Sequence, residues 1–160
     1  MPPHRDRPGL DALAAGYDDG AVRRYEGVPD MAHPNEDLVR DIFAAFGRGD
    51  ADALRGQYMA AGACFHYPGR SPLAGDHEGV ASVLEMAGRT FELSGGTYRL
   101  EIHDVVANDE HAVALFMASG ERAGRRLEDP AVVVFHIRDG KATEMWFYPA
   151  DLYANDEFWS

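Results

Sequence analysis

Cysteine is almost missing from this chain of 160 residues, which contains Cys64 alone. A single thiol excludes an intrachain disulfide and any zinc site built from several thiolates. Cys64 falls two residues before His66, on the same face of an expected strand, but no positive charge flanks it to favour a nucleophilic thiolate. We therefore interpret Cys64 as a small apolar filler and expect packing to stabilise the fold.

Basic residues are also scarce. The chain has 15 lysines and arginines against 27 aspartates and glutamates, which gives a formal net charge of -12 at pH 7. A surface of this sign repels phosphate and anionic lipid, so we expect no nucleic acid and no membrane partner. The longest apolar runs, such as residues 131–135, are far shorter than the ~20 residues that cross a bilayer, and the N-terminal MPPHRDRPGL has no apolar signal region. These features predict a cytoplasmic protein.

Several motifs for catalysis and cofactor binding are absent. The chain contains no GxSxG nucleophile elbow, no HExxH zinc motif and no GxGxxG dinucleotide loop. His77 and Glu78 lack the second histidine of a zinc helix, and residues 69–75 have neither the glycine spacing nor the lysine of a phosphate loop. We therefore predict that the protein has no metal and no cofactor.

The composition that remains is ordinary for a globular protein, with 46% hydrophobic and 26% charged residues. One core and one domain are expected at this length. Residues 1–33 contain four prolines and only a weak helical patch. We interpret them as a loosely attached arm or, if translation begins at Met31, as residues upstream of a misassigned start. The domain itself is predicted over residues 34–160.

Hydrophobic spacing predicts helices in the first half of the domain and strands in the second. The predicted helices run from Asn35 to about Gly47, from the Asp50 cap to Tyr58, and over residues 80–93. The predicted strands lie at residues 63–67, 97–107, 111–121, 126–138 and 141–149, with a long loop at 69–79. This order predicts an α+β fold in which the helices bury one face of the sheet.

The turn at Asp139-Gly140 sets the predicted register of the last hairpin, because this pair suits the positive φ angles of a type I′ turn. Three pairs would then share one face: His136 with Thr143, Val134 with Met145, and Val132 with Phe147. Trp146 would lie on the other face, which is also largely apolar. Helices can cover one face, and a second copy of the protein is the simplest cover for the other, so we expect a homodimer.

Three segments resemble the SnoaL-like family, which belongs with the ketosteroid isomerases and nuclear transport factor two in one superfamily. They are GDADAL at residues 49–54, HYPGRSPLAG at 66–75 and DGKATEMWFYPAD at 139–151. The resemblance covers residues 35–153. It implies a cystatin-like, SnoaL-like α+β barrel, in which a cone-shaped, mostly antiparallel sheet is wrapped by three N-terminal helices around a pocket and dimerises on its other face.

The resemblance also implies candidate catalytic residues. SnoaL-like polyketide cyclases use a histidine near the final hairpin and an aspartate in the segment after it, and His136 and Asp151 match those positions. Asp151 follows Trp146 by one residue more than the family's W-x-x-x-D spacing, and its alternative role is to cap a C-terminal turn. His66, at the end of the first predicted strand, is a third candidate, because a neutral imidazole can act as a general base. The alternative is that His66 has a structural role and forms a hydrogen bond with a loop carbonyl.

Two functions follow from these candidates. The first is a cofactor-independent isomerase, cyclase or dehydratase that acts on a small apolar carbonyl compound by His/Asp acid-base chemistry. The second is a module of the same fold that binds a small apolar organic ligand, or dimerises, without catalysis. In both, the expected pocket wall includes Met145, Phe147, Tyr148, Tyr67, Val134 and Tyr58. A pocket lined only by apolar groups would favour binding.

Overall fold

The computed structural model describes residues 32–160. Its helices are α1 (Pro34–Arg48), α2 (Ala51–Ala53, continued by a π-helical turn at Leu54–Tyr58), α3 (Val80–Leu93) and α4 (Leu152–Trp159). Its strands are β1 (Met59–Tyr67), β2 (Gly75–Glu78), β3 (Arg99–Ala107), β4 (His111–Arg122), β5 (Arg125–Arg138) and β6 (Lys141–Pro149). The predicted arm and the alternative start at Met31 lie outside the described residues, apart from Ala32 and His33. None of the described helices has the length and apolar character to cross a membrane.

The six strands form one curved, unclosed sheet in the order β2-β1-β6-β5-β4-β3. Neighbouring strands are antiparallel except β1 and β6, which pair in parallel. The predicted α+β fold is therefore confirmed. The prediction of a continuous loop at 69–79 is wrong for residues 75–78, which form β2. The sequence GDHE lacks the apolar alternation of a typical strand, and this segment is a strand because it pairs with β1.

The two-residue turn of the last hairpin is as predicted. Asp139 and Gly140 have φ angles of 53° and 70°, and Arg138 pairs with Lys141 across them. Glycine adopts a positive φ without strain, and aspartate tolerates this left-handed region better than most residues do. The sequence Asp-Gly therefore places the turn correctly.

A β-bulge directly after this turn changes the register. Ile137 pairs with Ala142, but His136 pairs with Glu144, so Thr143 has no partner on β5. The Thr143 hydroxyl donates a hydrogen bond to the His136 carbonyl at 3.2 Å. The predicted pairing of His136 with Thr143 is wrong, because one extra residue on β6 moves every later pair by one position.

The bulge decides which side chains reach the face covered by α1 and α3, called here the concave face. Met145 and Phe147 lie on it as predicted, and they are 1% and 4% exposed. His136 and Val134 lie on the opposite, convex face together with Trp146, which corrects the predicted position of the first two. The predicted register placed them with Met145 because it did not contain the bulge.

The core lies between the concave face and the two long helices. Val39, Ile42 and Ala45 of α1, and Val83 and Met86 of α3, recur every three or four residues, so each helix presents one apolar stripe to the sheet. Asp50 accepts a hydrogen bond from the Ala53 N–H and so caps the α2 turn. A cavity remains between these helices and the sheet.

Candidate functional site

An internal cavity of about 90 Å³ lies between α1, α2, α3 and the concave face. The helical segments contribute Ile42, Phe43, Phe46, Leu54, Val83, Leu84, Met86, Ala87 and Thr90 to its wall. The sheet contributes Met59, Phe65 and Tyr67 from β1, Leu100 from β3, Phe116 from β4, Val133 and Phe135 from β5, and Met145 and Phe147 from β6, and Tyr98 precedes β3. Every long element of the fold except α4 supplies part of the wall.

The wall is chemically almost uniform. No histidine, cysteine, acidic or basic side chain of the described residues lines it. The Thr90 hydroxyl is occupied by its own helix, since it donates to the Ala87 carbonyl at 2.6 Å. Tyr67 and Tyr98 are also buried, and burial raises the pKa of both phenols, so neither exchanges a proton near neutral pH. The cavity suits an apolar molecule and offers no acid or base.

The predicted pocket residues divide between the two faces of the sheet. Met145, Phe147 and Tyr67 line the cavity. Tyr58 packs against the core at the end of α2 but is not part of the wall. Val134 lies on the convex face, and Tyr148 is 54% exposed there. The bulge explains Val134, because it changes which face of β5 lies beside Met145 and Phe147. Tyr148 faces away from those two residues in either register, because side chains alternate along β6.

His66 lies on the convex face and is held between two carboxylates. Its Nδ1 is 2.7 Å from Asp76 Oδ1 on β2, and its Nε2 is 2.8 Å from Glu144 Oε1 on β6. The hydrogen bond to Asp76 raises the pKa of His66, burial opposes this shift, and the bond to Glu144 adds to it. The ring also stacks on Trp146, with centroids 5.0 Å apart and planes at 17°. His66 thus ties β2, β1 and β6 together.

His136 lies beside this group. Its Nδ1 is 4.0 Å from Glu144 Oε2, its ring is 4.6 Å from the Trp146 ring, and it meets His111 edge to face at 4.5 Å. The structure therefore brings two of the three predicted catalytic residues, His136 and His66, to opposite sides of one carboxylate. No three described histidine, cysteine or acidic side chains form a group suited to a metal ion.

Asp151 is separated from both histidines. Its side chain accepts the Ala154 N–H at 3.0 Å and so caps α4, which is the alternative role that the sequence allowed. Its own N–H donates to Asp129 Oδ1 at 3.2 Å. Asp129 is seven residues along β5 from His136, roughly 20 Å at the rise of a strand. His136 and Asp151 therefore do not form a pair in this structure.

Sequence reasoning missed Glu144 and Asp76, because the bulge and β2 that place them have no local signal. It also missed Asp129, which is 3% exposed on the concave face. Here a signal existed: Leu127, Ala131 and Val133 are buried and fall at odd-numbered positions of β5, so a period of two places Asp129 among buried residues.

Comparison with known proteins identifies the family. A family model for the SnoaL-like domain matches residues 39–145, more than half of the chain. The uncharacterized protein Rv0034 of Mycobacterium tuberculosis (strain ATCC 25618 / H37Rv) is 34% identical over 125 residues, which are 78% of this chain and 95% of that protein.

Solved structures agree with this result. Bal32a, from a soil-derived mobile gene cassette, matches with a TM-score of 0.77 and 34% identity over 81% of this chain and 98% of that one. A protein with a cystatin-like fold from Xanthomonas campestris matches with a TM-score of 0.72 and 30% identity over 78% and 96%. The putative SnoaL-like polyketide cyclase from Jannaschia Sp. CCS1 shares the fold alone, with a TM-score of 0.65 and 20% identity over 83% and 96%. The predicted resemblance is thus confirmed, and the chain belongs to the SnoaL-like domain family.

Proposed function

We propose that this protein binds a small, largely apolar organic molecule in its internal cavity. The observation that carries the proposal is the chemistry of the wall, which consists of aliphatic, aromatic and methionine side chains around two buried tyrosines and one internally bonded threonine. Pockets of this kind hold ligands by burying apolar surface, and they use few polar groups to orient them. The protein requires no metal or redox cofactor for such a role.

The size of the cavity limits the ligand. At about 90 Å³ it is smaller than the ~150 Å³ apolar cavity that binds benzene in a well-studied engineered protein. Met59, Met86 and Met145 line it, and methionine side chains change rotamer easily because they are unbranched. A compound with one ring fits if these side chains move, whereas a multi-ring compound would require the helices to separate from the sheet.

A second candidate function is proton-transfer catalysis, as in an isomerase, cyclase or dehydratase. The arrangement that favours it is His66 between Asp76 and Glu144, with His136 on the other side of Glu144. A histidine oriented by a carboxylate is a common general base. In this protein such chemistry would take place on the convex face, beside Trp146, and not in the cavity. Asp151 would have to act separately from both histidines.

We further propose that the convex face joins two copies of the chain. Four large apolar side chains are exposed on this face, namely Val106, Leu115, Met117 and Tyr148, with exposures from 36% to 54%. A group of exposed apolar side chains on one sheet face is typical of an interaction surface. A dimer through it would also enclose His66 and His136 between the subunits.

Binding of fluorobenzene, followed by the ¹⁹F NMR signal of the ligand, tests the cavity proposal. Ala87 lines the cavity from α3, and Ala87→Leu places three additional carbon atoms in the cavity. We therefore expect the affinity for fluorobenzene to fall at least tenfold, which is equivalent to about 1.4 kcal/mol. Ala81→Leu is the matched control, because Ala81 is exposed on the same helix.

The same measurement separates the two functions. Fluorobenzene affinity should not change in His66→Gln or His136→Ala, since both side chains lie on the convex face. Failure of the unmodified protein to bind fluorobenzene, or equal affinities for the Ala87 and Ala81 variants, would contradict the cavity proposal. If no binding is found but the histidine variants lose a proton-transfer activity, the second function is favoured.

A further inference from the structure

Two histidines face each other across neighbouring strands of the convex face. His111 on β4 pairs directly with His136 on β5, and their rings meet edge to face with centroids 4.5 Å apart. His136 pairs in turn with Glu144 on β6. Two imidazoles and one carboxylate therefore lie in one row across the sheet.

The spacing of the two imidazoles suits a single metal ion. Two histidine ligands of a tetrahedral ion, with metal–nitrogen distances of about 2.1 Å, have ring centroids about 5 Å apart. The separation of 4.5 Å between His111 and His136 is close to this value. The χ2 torsion of histidine is broad, so the rings can turn their nitrogens toward a common point while χ1 stays in its rotamer. Both side chains are partly exposed, so water can fill the positions of the ion that the protein leaves open.

Glu144 is placed to orient His136. Its Oε2 lies 4.0 Å from His136 Nδ1, which is about 1 Å longer than a hydrogen bond. A carboxylate beside one nitrogen of a histidine leaves the other nitrogen to bind metal, and this arrangement is common in metal sites. Glu144 Oε1 is bonded to His66 Nε2 at 2.8 Å. We therefore assign Glu144 as the partner of a metal ligand and not as a third ligand.

The charges of this region favour a cation. Burial raises the pKa of the Cys64 thiol, and the carboxylates of Asp76, Glu144 and Glu78 raise it further, because they lie near it on the convex face. The opposing charge is the guanidinium of Arg138, two residues after His136 on β5. Three carboxylates against one guanidinium make this part of the face attractive to a cation.

His66 does not complete the site, because Asp76 and Glu144 occupy both of its ring nitrogens. We propose that His111 and His136 bind one divalent metal ion of the kind that prefers imidazole, copper(II) or zinc(II), and that water fills its remaining positions. No sequence motif predicts such a pair, because motifs such as HExxH contain ligands that are close in sequence, whereas these two histidines meet through strand pairing. The proposal does not depend on the cavity, which lies on the other face of the sheet.

Titration with Cu²⁺ at pH 7, followed by tryptophan fluorescence, tests the site. Copper(II) quenches tryptophan at short range, and the Trp146 ring lies 4.6 Å from the His136 ring. We expect saturable quenching that is lost in Trp146→Phe and that Zn²⁺ reverses in excess, since copper binds such ligands more tightly than zinc does. His111→Gln and His136→Gln should each weaken Cu²⁺ binding about tenfold or more, because each removes one of two protein ligands.

His103→Gln is the matched control and should bind Cu²⁺ like the unmodified protein, because His103 is exposed and lies outside the pair. Urea unfolding of each variant shows that it is folded. Quenching that does not saturate, quenching that persists in Trp146→Phe, or unchanged affinity in both His111→Gln and His136→Gln would overturn the proposal.

One further variant tests whether the site belongs to a single chain. Met117→Glu places a charge on the face proposed to join two copies and should keep the protein monomeric. Its affinity for Cu²⁺ should equal that of the unmodified protein, since both ligands come from one chain. A tenfold loss of affinity in this variant would show that a second copy is required and would contradict the site as proposed.

Discussion

At the scale of single residues, His66 is the candidate catalytic residue that hydrogen-bonds two carboxylates. It joins three strands through two carboxylates and a stacked tryptophan, and its side chain is 27% exposed. Hydrogen bonds from a charged imidazole to carboxylates are stronger than those between neutral groups. The protonated form of His66 should therefore stabilise the folded chain, whether or not it moves a proton in a reaction.

We predict that His66→Gln makes stability less dependent on pH. The folded pKa of His66 is raised above its unfolded value of about 6.5, so its contribution is fully present below pH 6.5 and falls as the pH rises through the folded pKa. The variant should be less stable by about 1 kcal/mol at pH 5.5, with a smaller difference at pH 8.5. Urea unfolding at both pH values measures this.

His103→Gln provides the control, because His103 is exposed and has no hydrogen bond among the described residues. A stability difference for His66→Gln that stays constant or grows as the pH rises would show that the carboxylates do not favour the charged ring.

The sequence identified His66 and His136 as functional candidates but not the group that connects them. Glu144 falls between His66 and His136 only because one residue of β6 bulges, and Asp76 reaches His66 only because a short polar segment pairs with β1. Both features depend on tertiary contacts. By contrast, Met145, Phe147 and Tyr67 line the cavity. Met145 and Phe147 share one face of β6 in either register, because side chains alternate along a strand.

At the scale of elements, one carboxylate joins α4 to the loop after β1. Asp156 accepts hydrogen bonds from the Arg70 N–H at 2.9 Å and from the Ser71 N–H at 3.0 Å, in the loop after β1. Gly69 precedes these residues with a φ of 103°, and a Cβ there would collide with the Asp156 carboxylate. The loop and the helix therefore fit together only with glycine at this position.

Gly69→Ala should destabilise the protein by roughly 2 kcal/mol or more, because it adds both backbone strain and a clash with Asp156. Gly62→Ala, in β1, should change stability by less than about 0.5 kcal/mol, since a Cβ added there would meet no atom within 4 Å and its φ is not positive. Chemical unfolding gives both free energies, and limited proteolysis of α4 shows whether the helix has detached. Similar effects from the two substitutions would contradict this account of the α4 contact.

The long helices and strands could be predicted because their periodic apolar residues are local information. The spacing predicted α3 at residues 80–93, where it is found, and the Asp-Gly turn was placed correctly. The helix α4 was expected only as a turn, because its apolar residues Phe158 and Trp159 come at its end and leave little helical pattern before them. Phe158 and Trp159 are buried against Gly120 and Tyr98, which are distant in the sequence, so the residues of α4 alone do not predict this burial.

At the scale of the whole molecule, the acidic charge and the apolar convex face act in opposite directions. A net charge of -12 repels a second copy, while burial of the exposed side chains of the convex face would favour the proposed dimer. Salt screens the repulsion and leaves the apolar attraction in place. Dimerisation should therefore become stronger as ionic strength increases.

We predict that Met117→Glu shifts the protein from dimer to monomer, because Met117 is 40% exposed on the convex face and a buried charge there would have no partner. Sedimentation velocity over a range of protein concentrations measures the shift. Tyr153→Glu is the control, since Tyr153 is 89% exposed on α4, away from the sheet. An unmodified protein that stays monomeric at all concentrations and salt levels would contradict the proposed interface.

The parallel pairing of β1 with β6 also has a consequence for the order of folding. The two strands are separated by more than 70 residues, yet Phe65 pairs with Met145 in the middle of the sheet. During synthesis, β1 emerges long before its inner neighbour exists and can pair early only with the short β2. Because long-range pairing of this kind is slow, the edge of β1 that faces β6 stays unpaired in the nascent chain until the ribosome has released β6. The acidic character of the chain then helps to keep such incomplete chains apart.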